Sequence, residues 1–385
     1  MPSRRQFMKI VGSSAVVFAA TSVLGAGCSQ TQRSGPTAPW QEAGRPDDSD
    51  PRRRALSYAI LAPNPHNRQP WQVDLDHANE IVLYCDPDRL LAETDPFERQ
   101  ILIGLGCFLE VLRMAAAQDG MLATVERFPD GVPANHLDTR PIARIRFRQS
   151  KTVQPDPLFA QVLERRTLKE PFDTARPVTE DLLSQISQVV PTSLSVDSTN
   201  DPQRVAQLRE LSWQAHLLEM TTDRTNMESV RLMRIGRREI EANPDGIDLG
   251  GPAMGMLSFL GIVTREKLAD PTSTAFKQGL EMYDGILNSA MAYLWITTDG
   301  NSRLDQLDAG TAWVRANLKA TELGVGIHPL SQSLQEYVEM TELYASIHAR
   351  LADSGKRIQM FARLGYGPTT NPSPRWPVET RIVHR

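Results

Sequence analysis

The sequence predicts an α+β protein whose chain contains two diverged halves. Apolar residues recur at helical spacing over residues 101–112 and again over residues 307–321, and short β-type runs stand around them. Both predicted helices carry small residues in their first turns, Gly-Leu-Gly at 104–106 and Ala-Gly-Thr at 309–311, and a glycine just beyond their ends. This echo is a weak sign of an internal repeat.

The length and the charge of the chain limit the classes of function that it can have. With 385 residues it is long enough for two ordinary domains and a large buried core. A formal net charge of -4 argues against non-specific nucleic-acid binding. Past the N-terminus, no apolar run is expected to be long enough to span a membrane. Without Cys-x-x-Cys, His-x-x-x-His or a carboxylate cluster at ligand spacing, no metal site is expected.

The first 27 residues are expected to be a twin-arginine export signal. Residues 3–9, Ser-Arg-Arg-Gln-Phe-Met-Lys, match that pattern, and an uncharged, modestly apolar stretch follows over residues 10–26. The mature protein would then be periplasmic, or anchored at the outer side of the inner membrane. Cys28 could carry the lipid of a lipoprotein, although Gly25 stands where a bulky aliphatic residue is usual. One lipid chain alone would anchor the protein only weakly.

Residues 28–50 are rich in Ser, Thr, Gly, Pro and charge, and they are predicted to be a flexible linker. The first half, residues 51–150, opens with a helix that Asp50 caps and that carries Pro51 in its first turn. The predicted elements of this half are that helix up to Pro63, strands around residues 73–75 and 81–84, a helix capped by Asp95 with Glu98 at its third position that runs to about Gln118, and a strand over residues 143–147.

The second half, residues 151–385, begins after a polar junction at residues 149–151. Its predicted elements are helices near residues 157–166, 180–189, 203–220, 275–286 and 307–321, and a strand over residues 291–297. Residues 224–275 contain several glycines and prolines and are predicted to be an insertion or lid. Cys85 and Cys107 could pair in an oxidising compartment, but Cys107 sits inside a predicted buried helix, which favours a packing role.

Residues 62–71, Ala-Pro-Asn-Pro-His-Asn-Arg-Gln-Pro-Trp, form the most informative segment. Its prolines fix φ and remove amide donors, so the backbone must leave the preceding helix and run extended. The stiff segment can present the side-chain amides of Asn64, Asn67 and Gln69, together with backbone groups, to a planar heterocycle. The alternative is a proline-rich turn that leads into an edge strand.

The spacing Ala-Pro-x-x-x-Asn-x-Gln-Pro-Trp resembles the flavin-contacting loop of the nitroreductase family. Residues 164–167, Glu-Arg-Arg-Thr, are similar to the Arg-Arg-Ser segment that holds the flavin phosphate in that family. Two guanidiniums and a hydroxyl suit a dianion, because they make charge-assisted hydrogen bonds. The alternative for the two arginines is a solvated helix C-terminus, where cations complement the helix dipole.

Two later segments extend the resemblance. Residues 323–332, Leu-Gly-Val-Gly-Ile-His-Pro-Leu-Ser-Gln, resemble a family segment beyond which backbone amides approach flavin N5. Those amides map to residues 330–332, where Ser-Gln replaces the frequent Glu-Gly, and His328 is better interpreted as a packed histidine than as a donor to flavin. Residues 360–368 resemble the last strand and the Leu-Gly-Tyr-Pro turn of the family. Arg375 follows, either as a further phosphate ligand or as an ordinary surface residue.

The resemblance covers most of residues 51–385 and implies a nitroreductase-like fold that binds FMN. The implied cofactor-binding residues are Asn64, Pro65, His66, Asn67, Gln69, Arg165, Arg166, Thr167, Pro329, Leu330, Ser331, Gln332 and Arg375. The family is homodimeric with flavin at the subunit interface, so two fused halves imply a monomer that contains an intrachain pseudo-dimer. The loop motif does not recur in the second half. The Arg-Arg-Thr motif does not recur in the first half, where residues 52–54 (Arg-Arg-Arg) are only a crude substitute, so one FMN per chain is expected.

A twin-arginine leader, Pro-His-Asn-x-Gln-Pro-Trp and a late His-Pro-Leu-Ser-Gln together resemble the Acg-type branch of the family. The implied function is an exported FMN-dependent oxidoreductase that passes two electrons through flavin N5 to a small acceptor, a quinone or a nitro compound. Flavin carries this chemistry, so no catalytic side chain is demanded. The alternative is a non-catalytic protein that binds or sequesters flavin under a closed lid. The electron donor stays open, because an exported enzyme has little access to nicotinamide.

Overall fold

The computed structural model describes residues 35–45 and 49–385. The predicted export signal, Cys28 and the first part of the predicted linker lie outside the described residues. The helices are Ala38–Glu42, Pro51–Ala59, Arg99–Gln118, Glu180–Ser187, Pro202–Thr221, Asp223–Leu232, Arg237–Ala242, Pro252–Phe259, Arg265–Ala269, Thr274–Asn288, Arg303–Glu322 and Thr341–Leu351. The strands are β1 Trp71–Asp74, β2 Glu80–Cys85, β3 Met121–Arg127, β4 Ala143–Gln149, β5 Ser195–Thr199, β6 Met233–Ile235, β7 Ile247–Leu249, β8 Ala292–Thr298, β9 Gly326–Pro329 and β10 Arg357–Gly365.

The two halves have the same topology. Each contains a four-stranded antiparallel sheet, ordered β1-β2-β4-β3 in the first half and β5-β8-β10-β9 in the second. In both sheets the spatial order is first, second, fourth and third strand of the half. A short helix precedes the first strand of each half, and a 20-residue helix connects the second strand to the third.

The two 20-residue helices, here called the first (Arg99–Gln118) and second (Arg303–Glu322) central helix, pack against each other across the boundary between the halves. Gly106 and Gly310 are the eighth residue of each. A Cβ added at Gly106 would lie 2.1 Å from the carbonyl oxygen of Leu307, and one added at Gly310 would lie 2.1 Å from that of Ile103. Leu307 and Ile103 are both fifth residues, so the contact is two-fold symmetric, as between subunits of a dimer. The predicted α+β class and the two-half architecture are confirmed.

The boundaries of the first central helix differ from the prediction. Asp95 does cap it, accepting hydrogen bonds from the amides of Gln100 and Ile101, each at 3.0 Å. Glu98, however, is the residue before the helix, with φ of 53°, and not its third residue. The helix is long and apolar enough to cross a membrane, contrary to expectation, but nearly all of it is buried inside the protein, so it is a core helix.

Part of the predicted flexible linker is structured. Residues Ala38–Glu42 form a short helix whose Trp40 is buried, with its indole donating to the carbonyl of Ser373 at 2.8 Å. The carbonyl of Pro36 accepts a hydrogen bond from the amide of Arg375 at 2.8 Å. The prediction of a linker up to residue 50 was therefore wrong for residues 36–42, because apolar burial of one tryptophan fixes this segment against the C-terminal tail.

The predicted insertion, residues 224–275, contains short helices and the small parallel pair β6-β7. The C-terminal tail leaves the second half and runs to the first, where Ile382 bridges to Val73 of β1. Cys85 and Cys107 are both free and buried, and the Cys107 thiol packs 3.2 Å from the carbonyl of Gly310. The packing interpretation of Cys107 is thus confirmed.

Candidate functional site

The loop after the first helix has a strained backbone. His66, Asn67 and Gln69 have φ of 47°, 51° and 51°, so three of the six non-glycine residues with positive φ among the described residues fall within four positions. Such conformations cost on the order of 1–3 kcal/mol each and persist where the surroundings enforce them, often at ligand sites. The loop packs closely on Gly104 of the first central helix, where an added Cβ would lie 3.1 Å from the Cβ of Asn64.

The side-chain amides of this loop are engaged with the protein itself. Asn64 Oδ1 accepts from the amide of Gln69 at 2.7 Å. Asn67 Nδ2 donates to the carbonyl of Pro374 at 3.0 Å, and Gln69 Nε2 donates to that of Pro244 at 2.8 Å. Gln69 Oε1 accepts from the amide of Trp376. These amides tie the loop to the C-terminal tail and to the lid, so they are positioning residues.

Three arginines converge beneath the loop. Arg375 donates through Nε to the carbonyl of Ile60 at 2.9 Å and through Nη2 to the next two carbonyls. Its Nη1 also hydrogen-bonds Asn67 Oδ1. Arg165 Nη2 reaches the carbonyl of Leu61 at 3.2 Å, and Arg166 is its chain neighbour. We call Arg165, Arg166 and Arg375 the arginine pocket. The three arginines belong to the second half, and Arg165 and Arg375 bond to the loop region of the first half, so the pocket brings the two predicted motifs together.

Positive charge in the arginine pocket is not neutralised. No salt bridge joins any of the three guanidiniums to a carboxylate among the described residues. Burial and Arg166 lower the pKa of Arg165 to about 10, and burial, Arg165 and Arg166 hold the pKa of Arg375 well below its usual range. Arg165 Nη1 and Arg166 Nε are buried and have no hydrogen-bond partner. Since buried cations are normally paired, this pocket fits an anion with several acceptor oxygens.

Neither alternative interpretation of the arginines holds. Arg165 and Arg166 follow a short 3-10 helix, Pro157–Gln161, and not the predicted helix over residues 157–166. Arg165 is 4% exposed, so it is not at a solvated helix end. Arg375 is 3% exposed, so it is not an ordinary surface residue.

Trp40 covers the arginine pocket. The guanidinium carbons of Arg166, Arg375 and Arg165 lie 4.8, 5.5 and 5.9 Å from its ring centroid. An aromatic face attracts cations and excludes water, which strengthens the attraction of the pocket for an anion. The sequence interpretation missed Trp40, since a single aromatic residue in a polar segment gives no periodic signal.

We use the name recess for the space beside the loop where His66 and Lys169 lie close together. Lys169 is exposed, and the protein atoms packed around it lower its pKa. Asp248 of β7 opposes this shift. Burial, with Lys169 and Arg68, lowers the pKa of His66 to about 4, and His66 Nδ1 is buried without a partner. A neutral imidazole and an ammonium therefore border this recess. Lys169, which carries the ammonium, is three residues after Arg166 in the sequence.

The segment that was expected to approach flavin N5 is partly committed to the sheet. The amide of Leu330 donates to the carbonyl of Phe361 at 2.8 Å, so it is not free for a ligand, and Pro329 pairs with Ala362 in the same sheet. Ser331 begins the turn after β9. His328 Nδ1 accepts from Arg363 Nε at 2.9 Å, which confirms the packed interpretation of this histidine.

A second group of buried polar residues adjoins this turn. Glu219 is 3% exposed on the helix Pro202–Thr221, and its Oε1 accepts from the Ser229 hydroxyl at 3.4 Å. Burial raises the pKa of Glu219 to about 7, and the nearby side chains of Gln332 and Ser229 oppose this shift. Tyr283, which also interacts with Gln332, stacks on the ring of His216 at 3.8 Å. Burial therefore favours the protonated form of the Glu219 carboxyl.

Glu219 should make the stability of the flavin-free protein fall as pH rises. Its folded pKa of about 7 exceeds the ordinary glutamate value of 4.5, so the folded state holds the proton to higher pH than the unfolded state does. Against Glu219→Gln, wild type should lose roughly 3 kcal/mol of unfolding free energy between pH 4.5 and 8. Urea denaturation at several pH values measures this, and parallel curves for the two proteins would contradict it.

The position that corresponds to the arginine pocket under the two-fold symmetry of the halves has a different charge. There, residues 189–192 follow the helix Glu180–Ser187 and line an open cleft of about 510 Å³. Its arginines are neutralised: Arg315 Nη1 lies 2.8 Å from Glu110 and 2.6 Å from Asp156, and Arg113 lies 2.8 Å from Glu110. Two carboxylates here repel an anion, in contrast to the arginine pocket.

The predicted substitute for a second phosphate site is also neutralised. Arg52, Arg53 and Arg54 pair with Asp50, Glu379 and Asp119. The thirteen predicted site residues thus fall in different roles. His66, Arg165, Arg166 and Arg375 retain unengaged atoms or charge, Thr167 lies between the arginines and Lys169, and Gln332 turns toward Glu219.

Comparison with known proteins identifies sequence relatives of this chain. A Mycobacterium tuberculosis protein named "Putative NAD(P)H nitroreductase" is 26% identical over 337 residues, which are 86% of this chain and 89% of that protein. Another M. tuberculosis protein, named "Putative NAD(P)H nitroreductase acg", is 34% identical over 123 residues, 31% of this chain and 37% of that protein. No protein-family model matches the chain.

Among solved structures, the FMN-dependent nitroreductase NfnB of Mycobacterium smegmatis, in complex with NADPH, is 17% identical with a TM-score of 0.34. The match covers 57% of this chain and 94% of that one. A nitroreductase-like family protein of Bacillus cereus is 15% identical with a TM-score of 0.33, over 59% and 95% of the two chains. The sequence relatives confirm the resemblance predicted from the motifs, and the chain is a homologue of the mycobacterial proteins that carry the nitroreductase name, Acg included.

Proposed function

We propose that this protein binds one FMN and is a flavin-dependent oxidoreductase of the nitroreductase type. The observation that carries the proposal is the arginine pocket, in which two buried guanidiniums and one half-buried guanidinium lack a carboxylate partner among the described residues, and Arg165 and Arg166 have unsatisfied nitrogens. A phosphate monoester supplies the dianion and the acceptor oxygens that this pocket lacks. The mycobacterial relatives are named NAD(P)H nitroreductases, which supports the oxidoreductase type.

The residues present fit the rest of the cofactor as well. Arg165, Arg166 and Arg375 would hold the phosphate, with Trp40 closing the pocket. His66 and Lys169 border the adjoining recess, which would take the ring system. An ammonium in this recess favours negative charge nearby, and the neutral imidazole of His66 offers one donor or acceptor without adding charge.

FMN, when bound, supplies two-electron transfer at its N5 position. The task of this chain is to position and enclose it: the strained loop, held by Asn64, Asn67 and Gln69, fixes one wall of the recess. Lys169 would stabilise negative charge that develops on a reduced ring, because its ammonium is a cation close to the ring. A small acceptor, a quinone or a nitro compound, would need to enter the same recess.

We also propose a cellular location for the protein. Residues 3–9 and 10–26 support export by the twin-arginine route, with the mature chain in the periplasm or anchored at the outer side of the inner membrane through Cys28. The relatives are named for NAD(P)H, but an exported enzyme would need another small-molecule donor. The working form is a monomer in which the two halves replace the two subunits.

One feature favours flavin storage as a second candidate function. The lid is fastened across the loop: the amide of Gly246 donates to the carbonyl of Asn67 at 3.2 Å, and Asp245 pairs with Arg89 at 2.9 Å and with Arg234. Asp245 also accepts from the indole of Trp376. A lid held by this many charged contacts would restrict the entry of an acceptor.

A titration tests the cofactor and its stoichiometry. Purified protein should show the absorption bands of oxidised flavin and should bind one FMN per chain, because the second cleft is lined by Glu110 and Asp156. Two tightly bound FMN per chain would contradict the one-site assignment, and no FMN would overturn the proposal.

Rapid mixing then separates enzyme from store. The bound flavin is reduced anaerobically with dithionite or NADPH and mixed with a small quinone or a nitroaromatic compound. Reoxidation within seconds supports the oxidoreductase. A reduced flavin that no acceptor oxidises supports the storage function. The variant Asp245→Asn, which weakens the lid contacts, should speed reoxidation if the lid limits access.

A further inference from the structure

The tip of the lid is an exposed, uncharged and apolar segment. We use the name lid tip for residues 249–264, Leu-Gly-Gly-Pro-Ala-Met-Gly-Met-Leu-Ser-Phe-Leu-Gly-Ile-Val-Thr, which lie between Asp248 and Arg265 and contain no charged residue. Its exposed large apolar side chains are Met256 (61%), Phe259 (90%), Leu260 (61%) and Ile262 (43%). Four of the ten exposed large apolar side chains among the described residues therefore fall within seven positions. Contiguous exposure of this kind marks an interaction surface.

The composition of the lid-tip helix, Pro252–Phe259, indicates what the surface contacts. Ser258 is its only polar residue, so the helix is apolar on every side. A helix that docks on another protein is apolar along one stripe and polar elsewhere, whereas a helix that is apolar all round is either buried or in contact with lipid. Gly255 of this helix packs against Gly236, whereas Met256 and Phe259 are exposed. A fluid apolar phase can cover these side chains without a surface of complementary shape.

The charges around the lid tip do not favour an electrostatic partner. Arg265 pairs with Glu239 at 2.6 Å, and Arg237 pairs with Glu241 at 2.6 Å. The flanks thus carry balanced ion pairs and no basic patch. The attraction must come from the apolar side chains themselves, so it should operate on uncharged lipid head groups as well as on anionic ones.

The N-terminal part of the chain begins close to the base of the lid. Pro36, near the start of the described residues, is hydrogen-bonded to Arg375, and the next residue, Trp376, donates to Asp245 of the lid at 3.1 Å. Cys28, the proposed anchor, stands seven residues before the first described residue. Consecutive tail residues therefore hold the start of the described chain and the lid, so a chain anchored through Cys28 would bring the lid close to the membrane.

We propose that the lid tip inserts into the interfacial layer of a phospholipid bilayer and holds the lid against the membrane surface. Phe259 and Leu260 would enter the apolar region, as exposed aromatic and aliphatic side chains of interfacial helices do. The glycines at 251 and 261 have positive φ, and a Cβ at either position would meet nothing within 4 Å, so there is open space beside the backbone at these two positions. This proposal does not depend on the identity of the cofactor.

Site-specific quenching tests the proposal on the full-length protein. Phe259→Trp is mixed with vesicles of phosphatidylcholine whose acyl chains carry bromine, a short-range quencher of tryptophan. The fluorescence added by the new tryptophan should shift to shorter wavelength and be mostly quenched. Val338→Trp is the matched control: Val338 is 83% exposed, lies outside the lid, and its added fluorescence should change little.

Two outcomes overturn the proposal. The first is protein that co-sediments with the vesicles while position 259 is quenched no more than position 338. The second is a dimer of copies through the lid tip, which sedimentation velocity without vesicles would detect: Phe259→Ser with Leu260→Ser would convert dimer to monomer, and Val338→Ser would not. Circular dichroism of each variant checks that the chain is folded. Quenching confined to position 259 in a monomeric protein supports bilayer insertion.

Discussion

Changing both Arg165 and Arg166 to alanine is expected to weaken FMN binding by roughly 10²–10⁴-fold, because each lost charge-assisted hydrogen bond costs about 1.5–3 kcal/mol. Riboflavin, which lacks the phosphate, should lose little affinity. Titration calorimetry with both ligands measures the difference. Arg375 is less suitable for this test, since it also donates to three backbone carbonyls of the loop and its loss would unfold the site.

The second cleft supplies the control for this experiment. Arg113→Ala removes an arginine that pairs with Glu110, so it should leave the affinity for FMN and for riboflavin unchanged. Equal losses for FMN and riboflavin in the Arg165/Arg166 variant would show that these arginines do not contact the phosphate. A loss of FMN affinity in Arg113→Ala would indicate that the cofactor binds in the second cleft and not in the arginine pocket.

The substitution Gly310→Ala is expected to lower the free energy of unfolding by at least about 3 kcal/mol. The added Cβ would lie 2.1 Å from the carbonyl oxygen of Ile103 and 2.8 Å from the amide of Cys107. Both are backbone atoms of the first central helix, so neither can turn aside, and the two helices must separate. Urea denaturation of the flavin-free protein measures the loss, and Gly106→Ala should behave alike.

Gly285→Ala is the matched control for the helix substitution. Gly285 also lies inside a helix, Thr274–Asn288, but a Cβ there meets nothing within 4 Å. Alanine should therefore stabilise the protein by up to about 1 kcal/mol through helix propensity. If Gly310→Ala is tolerated as well as Gly285→Ala, the close contact between the central helices does not hold the halves together.

Local patterns predicted much of the fold. The second central helix was expected over residues 307–321 from its apolar spacing, and it spans Arg303–Glu322. Its real start was missed because it depends on a capping box, in which the Ser302 side chain accepts from the amide of Asp305 while the Asp305 side chain accepts from the amide of Ser302. β5, Ser-Val-Asp-Ser-Thr, escaped prediction because it is a polar edge strand that pairs only with β8. The shared strand order of the halves depends on tertiary pairing, which no local pattern contains.

The candidate site could be predicted only in part, for a similar reason. Motif spacing identified the arginines and the loop. It did not reveal that Asn67 and Gln69 would bond to Pro374 and Pro244, because those partners are 307 and 175 residues away and are backbone carbonyls, which any sequence supplies. Trp40 bonds to a carbonyl 333 residues along the chain. These contacts set which polar atoms remain free for a ligand.

Both ends of the described chain meet at the arginine pocket, which has a consequence for biosynthesis. Arg375 stands ten residues from the last residue, and Pro36 and Trp40 are held in place by the tail that contains it. Domains begin to fold while the ribosome is still adding residues, so the first half can acquire its sheet early. The pocket, however, cannot close until the segment that contains Arg375 has been synthesised and has left the ribosome. All strands of the two four-stranded sheets precede this segment in the sequence, so the pocket is among the last features of the described chain that can form.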